Sequence, residues 1–554
     1  MKDYHLYMDF INFIMVIQGC GIMSFLQFQF WLFLCILVLA YYFLPKKFQW
    51  ICLLIGSYVF YAFAGIKTIG YILFTTISVW IGTIYINKIN ERKEAELIEK
   101  KEFLTPQTKK NIKSIARKKQ RVIFWCILLA NFSILGFLKY FNFMSDNING
   151  IFNIITGNKT EPIRLGLLLP LGISFYTFQS MSYLIDVYNG KYKAEKSLPR
   201  FALFVSFFPQ ILQGPINRFD KLANQLYEHH EFDLKKFEYG LQLILWGLFK
   251  KMVIADRAVT VVDGVFGHYS NYGGGITIIG ILLYSLQQYS DFSGGIDVVM
   301  GIAELFGISM AINFKRPYFS TSLSEFWRRW HITLGSWMRD YIFYPLALTK
   351  RVSKIGKLTN KYCGKRIGRV IPVAISNIVV FLVVGIWHGA SWHYVAWGLY
   401  NGIIIAFSAM LEPFYVWLKK VTKVKTESFF YYVFRILRTF FIVNLGWYFD
   451  RAVSLRASIY MLHNTITNFK FNQLTDGTIL KLGIKELDFR ILFVATIILF
   501  TISVIQECGI QVRKFLSERN LIFRWVVFYI LIFAIISLDA SSGNLLGGFM
   551  YAQF

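Results

Sequence analysis

Apolar residues along this chain fall into long blocks instead of recurring at helical or alternating spacing. The blocks cover residues 25–44, 50–64, 69–86, 122–141, 163–185, 201–214, 239–262, 277–289, 294–312, 370–387, 394–411, 429–448, 491–505 and 525–538. Many approach the roughly 20 residues that an α-helix needs to cross the hydrocarbon of a bilayer. The pattern predicts an all-α, polytopic transmembrane protein with about a dozen crossings, since only helices and closed barrels satisfy their backbone groups in lipid. Residues 201–214 form a shorter block holding Pro209 and ending in Gly214 and Pro215, which predicts a re-entrant or half-membrane element. Residues 4–21 are apolar but contain Asp9 and Asn12, with no positive stretch ahead of them and no small-residue cleavage site. The expected organisation is an N-terminal extension or interfacial helix over residues 1–22, then one transmembrane domain over residues 23–554. No internal repeat stands out, so the inverted symmetry common in transporters is not signalled.

Composition agrees. Of 554 residues, 55% are hydrophobic and 16% charged, against about a quarter charged in soluble proteins; mean hydropathy is +0.47. A soluble multidomain enzyme is excluded. The net charge of +27 sits between apolar blocks, most densely in residues 88–121, which hold Lys109, Lys110, Lys113, Arg117, Lys118 and Lys119. That placement predicts a basic cytoplasmic loop and contact with anionic lipid, and no nucleic-acid partner, because no recognition module accompanies the charge. The six cysteines are scattered without C-x-x-C spacing. They signal neither a zinc site nor a disulfide framework, and are expected to be buried structural residues. No metal site and no bound cofactor are expected.

Polar groups at membrane depth mark function or a wet cavity, and two regions carry them. In residues 313–346, Ser322 and Glu325 fit a capping box. The helix it starts would carry Phe326, Trp330 and Thr333 on one side and bring Trp327 to His331 four residues on. Arg328, Arg329, Arg339 and Asp340 make it an amphipathic element at an interface or along a cavity. In residues 375–392 an apolar run ends at Trp387 and His388 between Gly385 and Gly389. Neutral imidazole is the natural general base near pH 7. A lone histidine in a helix bundle is more often a satisfied polar residue than a catalyst, and the other six histidines take that reading. A weaker signal, residues 289–295, sets Asp291 and Ser293 beside two glycines, as a helix break at a cavity or as a loop. No HExxH, GxSxG or CxxC occurs.

The ordered set Leu169–Gln179, Phe208-Pro209-Gln210 with Gly214-Pro215, Tyr289–Gly294, Asn313–Pro317, Phe326–His331 and Trp387-His388-Gly389 closely resembles the bacterial branch of the membrane-bound O-acyltransferase family. That branch includes alginate O-acetylation proteins and the D-alanyl transfer protein of teichoic acids. The resemblance runs from about residue 23 to beyond Trp397, and Met23-Ser24-Phe25 looks like the usual start. It implies a ring of helices around a thin centre pierced by a funnel or tunnel, in a bacterial cytoplasmic membrane. His388 matches the near-invariant family histidine and His331 the second. Trp387, Trp327, Trp330, Arg328, Arg329, Asn313, Asp291 and Ser293 are expected to bind substrate or line the tunnel. The implied reaction moves acetyl from a cytoplasmic thioester, acetyl-CoA, across the membrane for O-acetylation of a cell-envelope or extracellular polysaccharide, with an extracytoplasmic SGNH-type transferase as partner. D-alanyl transfer to teichoic acid from a carrier protein, and a non-catalytic acyl conduit, are the alternatives.

Overall fold

The computed structural model describes residues 25–538 apart from residue 104; the expected extension over residues 1–22 lies outside the described residues. Every regular element among them is helical. Packing divides the described residues into two compact units, residues 25–240 with 302–310, and residues 241–301 with 311–538.

The first unit holds α1 (Phe28–Phe43), α2 (Gln49–Phe63), α3 (Ile69–Glu99), α4 (Pro106–Thr156), α5 (Ile173–Tyr188), α6 (Leu198–Ser206), α7 (Phe208–Gln213) and α8 (Phe219–Tyr227). The basic stretch expected as a loop is almost wholly helical, being the end of α3 and the start of α4. Its local chemistry explains why. Thr105 caps α4 by accepting from the Thr108 amide at 3.1 Å, with Pro106 at the first helical position. Ile112, Ala116, Gln120 and Phe124 then recur every four residues as a buried stripe, while the lysines take the solvated side. Gln120 donates to Asn90 of α3 at 2.8 Å. The element expected to be broken at Pro209 is broken, at Phe207 between α6 and α7. The Phe208 amide donates to Ser57 at 3.1 Å, so the interruption leaves that buried backbone donor satisfied.

The second unit is built from α9 (Leu234–Leu248), a π-helical turn (Phe249–Ala255), α10 (Asp256–Gly267) and α11 (Gly274–Leu305), with residues 234–240 and 302–305 counted in the first unit. Short α12 (Leu323–Arg329), α13 (Ile332–Met338) and α14 (Tyr344–Ala347) follow. Then come α15 (Lys350–His388, turned at Gly364), α16 (Trp392–Met410), α17 (Glu412–Val421), α18 (Phe429–Arg451), α19 (Leu455–Thr467), α20 (Glu486–Glu507), α21 (Val512–Ser517) and α22 (Leu521–Ser537).

Among the described residues, five helices (α3, α4, α15, α18 and α20) are long and apolar enough to cross a membrane, and α16 with α17, bent by 58°, makes a sixth if the pair is one span. This is a multi-pass membrane protein with fewer such helices than the dozen crossings the blocks predict. Some blocks are too short on their own, as α1 and α22 are, and the 239–262 block carries Lys250, Lys251 and Arg257 and passes through the π turn. The blocks at 277–289 and 294–312 are not two spans separated by a break: residues 274–305 form one 32-residue helix. Gly294 sits inside it because α9 crosses there; a Cβ on Gly247 would stand 2.5 Å from the Gly294 carbonyl oxygen.

Large apolar side chains remain on outer faces, among them Phe28, Phe43, Phe533 and Ile536, as lipid-facing helices require. The cysteines correct their expectation. Of those described, Cys52 is buried in protein, whereas Cys35, Cys126, Cys363 and Cys508 are exposed. An apolar segment hides a thiol from water by facing lipid as well as by packing inward.

Candidate active site

His331 lies outside the candidate spans, in the connection between α12 and α13. Ser322 caps α12 by accepting from the Glu325 amide at 3.2 Å. The Glu325 carboxylate reaches back one residue further than a standard capping box, accepting from the Thr321 amide (3.0 Å) and hydroxyl (2.8 Å). The helix stops at Arg329. His331 takes a left-handed conformation (φ +46°, ψ +51°) and caps the next helix, so Trp327 and His331 do not share the helical face the spacing predicts. Residues 313–315 cause the break. The Ile332 amide donates to the Asn313 carbonyl at 3.0 Å, and the Lys315 amide donates to that of Arg329 at 2.9 Å. These bonds hold His331 in a backbone state that costs a non-glycine residue about 1–3 kcal/mol and persists only when its surroundings over-determine it.

The Asn313 side chain completes the grip. Its Oδ1 accepts from the Thr333 amide (3.0 Å) and hydroxyl (2.8 Å) and lies 3.3 Å from His331 Nδ1. A backbone amide can only donate, so the oxygen assignment is fixed, and Nδ1 is the protonated nitrogen of a neutral ring. The basic lone pair is therefore on Nε2. Burial, with the adjacent His388 adding to it, pushes the imidazole well below the ordinary histidine value of 6.5, which keeps the ring neutral.

His388 ends α15, where a run of β-branched residues gives way to Gly389. A Cβ on Gly385 would lie 2.4 Å from the Tyr394 carbonyl oxygen, and one on Gly398 2.3 Å from that of Phe381. The two glycines let α15 and α16 touch backbone to backbone and bring Trp397 against His388, ring centres 4.6 Å apart. Trp387 connects the histidines, 6.0 Å from the His331 ring and 5.2 Å from the His388 ring. Phe292 meets His331 edge-on at 4.8 Å.

Both histidines, 3% and 5% exposed, line one cavity of about 510 Å³. Trp327, Trp330, Arg328, Arg339 and Asn377 share its wall. Trp327 is fixed by donating its indole N–H to Asn401 at 3.1 Å. The remaining expected residues lie elsewhere. Arg329 pairs with Glu325 at 2.7 Å and Glu507 at 2.8 Å and is not on the cavity wall. Asp291 accepts from Lys251 at 2.6 Å and Ser293 from Lys250 at 2.8 Å. Lys250 also meets Asp297 (2.7 Å), and Lys251 meets Asp256 (2.8 Å). These two buried lysines escaped the sequence reading, although adjacent lysines inside an apolar block were the available signal. Tyr394 and Trp397, whose rings stand against His388, escaped it too, because nothing in their spacing separates an aromatic packed on the histidine from any other core aromatic.

Residues 194–360 match the model of the membrane-bound O-acyltransferase family. The chain is 33% identical over 431 residues to a probable alginate O-acetylase AlgI of Pseudomonas syringae pv. tomato, covering 77% of this chain and 72% of that protein. It is 33% identical over 374 residues to a peptidoglycan O-acetyltransferase of Helicobacter pylori, covering 62% and 64%. A teichoic acid D-alanyltransferase of Streptococcus thermophilus is 30% identical over 272 residues, covering 47% and 61%.

Proposed function

The chain belongs to the membrane-bound O-acyltransferase family, and from that premise we propose that it transfers acetyl from cytoplasmic acetyl-CoA to an acceptor hydroxyl, across the membrane, for O-acetylation of a cell-envelope polysaccharide, with His388 as the base. Acetyl is favoured over D-alanyl because similarity to the O-acetylase spans 77% of the chain, against 47% for the D-alanyltransferase. The observation that carries the site is the shared cavity, lined by two buried imidazoles together with Arg328 and Arg339.

In this reading the His388 imidazole takes the proton of the acceptor hydroxyl as its oxygen attacks the thioester carbonyl carbon. The C–S bond breaks, and the departing thiolate takes the proton back from the imidazolium. His331 orients the donor. With Nδ1–H given to Asn313, its Nε2 accepts hydrogen bonds and cannot donate one to the thioester carbonyl, which removes a polarising role for the neutral ring. Arg328 meets the donor's phosphates, and Trp327 and Trp330 shape the passage. The protein sits in a bacterial cytoplasmic membrane and works with an extracytoplasmic SGNH-type transferase that completes delivery to the glycan.

The test is His388→Ala, with membranes supplied with labelled acetyl-CoA and envelope glycans analysed by mass. Loss of glycan acetyl at normal protein abundance supports the reading. Wild-type acetylation by that variant overturns it, and label arriving only from D-alanine would reassign the donor.

A further inference from the structure

The second unit contains another cavity, of about 490 Å³, that includes neither histidine. One wall is apolar, formed by Ile498 and Ile502 of α20, Leu516 of α21, and Phe528 and Leu531 of α22. Ile498 and Ile530 line it while remaining 42% and 62% exposed. The wall is thus continuous with the outer faces that lipid covers, and hydrocarbon can enter without crossing water.

The opposite wall is polar. Gln242 of α9 is 6% exposed, and neither its amide oxygen nor its amide nitrogen has a hydrogen-bond partner among the described residues. Such groups are rare in folded proteins, where buried polar atoms are nearly always paired. Two turns along lies Lys250, held by Ser293 and Asp297. Lys315, Arg316 and Arg513 also line the space, and Asp297 is the only carboxylate among the lining residues. Arg316 is paired outward with Glu507 at 2.5 Å, and Asp297 is taken by Lys250. Lys315 therefore leaves the cavity positive.

A ligand that fits has hydrocarbon for the α20–α22 wall, an anion for the cations, and both a donor and an acceptor for the Gln242 amide. We propose that this cavity binds one anionic phospholipid with a hydroxylated headgroup, of the phosphatidylglycerol class. Its phosphodiester oxygens accept from Gln242 Nε2 and from the cations, and a headgroup hydroxyl donates to Gln242 Oε1. The acyl chains lie along Ile502, Phe528 and Leu531. The site is separate from the acyl-transfer chemistry, and its test does not depend on that reading.

The experiment uses the purified full chain and photoactivatable phosphatidylglycerol, with the phosphatidylcholine analogue and inorganic phosphate as comparison arms. Labelled peptides are mapped by mass spectrometry. Phosphatidylglycerol is expected to label peptides containing residues 242–250 and 498–506 at least fivefold more than phosphatidylcholine. Gln242→Leu, which removes an unpartnered amide at nearly constant volume, is expected to cut that labelling at least fivefold with an unchanged melting temperature. Equal labelling by the two lipids overturns the proposal, as does labelling confined to outward residues such as Phe533. Full labelling of Gln242→Leu overturns it as well. Suppression by millimolar inorganic phosphate would assign the cations to a soluble phosphate and also overturn it. Should Gln242→Leu melt early, the ratio of the two lipids on the wild-type chain decides alone.

Discussion

Asn313 and His331, 18 positions apart, form one unit: the asparagine Oδ1 that fixes the Thr333 amide and hydroxyl also receives the imidazole Nδ1 at 3.3 Å. That one side chain sets the ring's tautomer, while burial keeps the ring neutral and the backbone pairing with residues 313–315 holds its left-handed turn.

Replacing Asn313 by Ala should therefore lower acetyl transfer without touching either histidine. Misplacing a catalytic group by about 1 Å costs roughly 100-fold, and a loss of that order is expected with protein abundance unchanged. Asn313→Asp keeps the acceptor but adds a negative charge beside the ring, which favours the imidazolium. The acid limb of its pH–rate profile should move to higher pH. A profile that stays put would separate the asparagine from the histidine's titration.

The same neutrality has a signature in stability. His331 lies well below 6.5 in the fold because of burial, with His388 adding to it. As pH falls through the unfolded value the unfolded chain binds a proton that the folded chain refuses, so stability present above pH 6.5 is lost on acidification. The slope for one such proton is about 1.4 kcal/mol per pH unit. Melting temperature in detergent between pH 7 and 5 should fall less steeply for His331→Gln than for wild type. Identical slopes would mean the ring titrates normally.

What the sequence made legible follows from which interactions are local. Apolar blocks announce lipid-crossing helices because length and composition are properties of one segment. Ser322 was readable as a cap because its partner, the Glu325 amide, is three residues away. The left-handed turn at His331 was not readable, because its cause is a backbone pairing with residues 313–315, whereas helical spacing assumes the helix continues. The roles of Asp291 and Ser293 were hidden for the same reason: their partners Lys251 and Lys250 lie 40 and 43 residues away. Their place beside two glycines marked them as a helix break at a cavity or a loop, while only the fold shows that lysines take them up.

The lysine pair gives a prediction about folding. Lys251 is held between Asp291 and Asp256 at 2.6 and 2.8 Å, nearly all of it buried. Removing one member of a buried pair leaves an uncompensated charge and costs about 3–5 kcal/mol, whereas replacing both with apolar groups is far milder. Lys251→Met should lower the melting temperature sharply, and Lys251→Met combined with Asp291→Leu should recover most of the loss. A double variant as unstable as the single one would show that Asp256 is the partner that matters.

The two adjacent arginines, alike in sequence, separate cleanly in space. Arg328 lines the histidine cavity, and Arg329 is occupied by Glu325 and Glu507. If Arg328 meets the phosphates of the donor, Arg328→Gln removes binding that ground state and transition state share, which raises KM and spares kcat. An increase of about tenfold in KM for acetyl-CoA corresponds to the 1.4 kcal/mol expected of one charge-assisted contact. Arg329→Gln should instead leave KM unchanged and lower the melting temperature, because the Glu507 carboxylate keeps only Arg316. Were both substitutions to raise KM equally, the donor would have to reach beyond the cavity wall as far as the Glu507 cluster, and the assignment of Arg328 alone to its phosphates would fail.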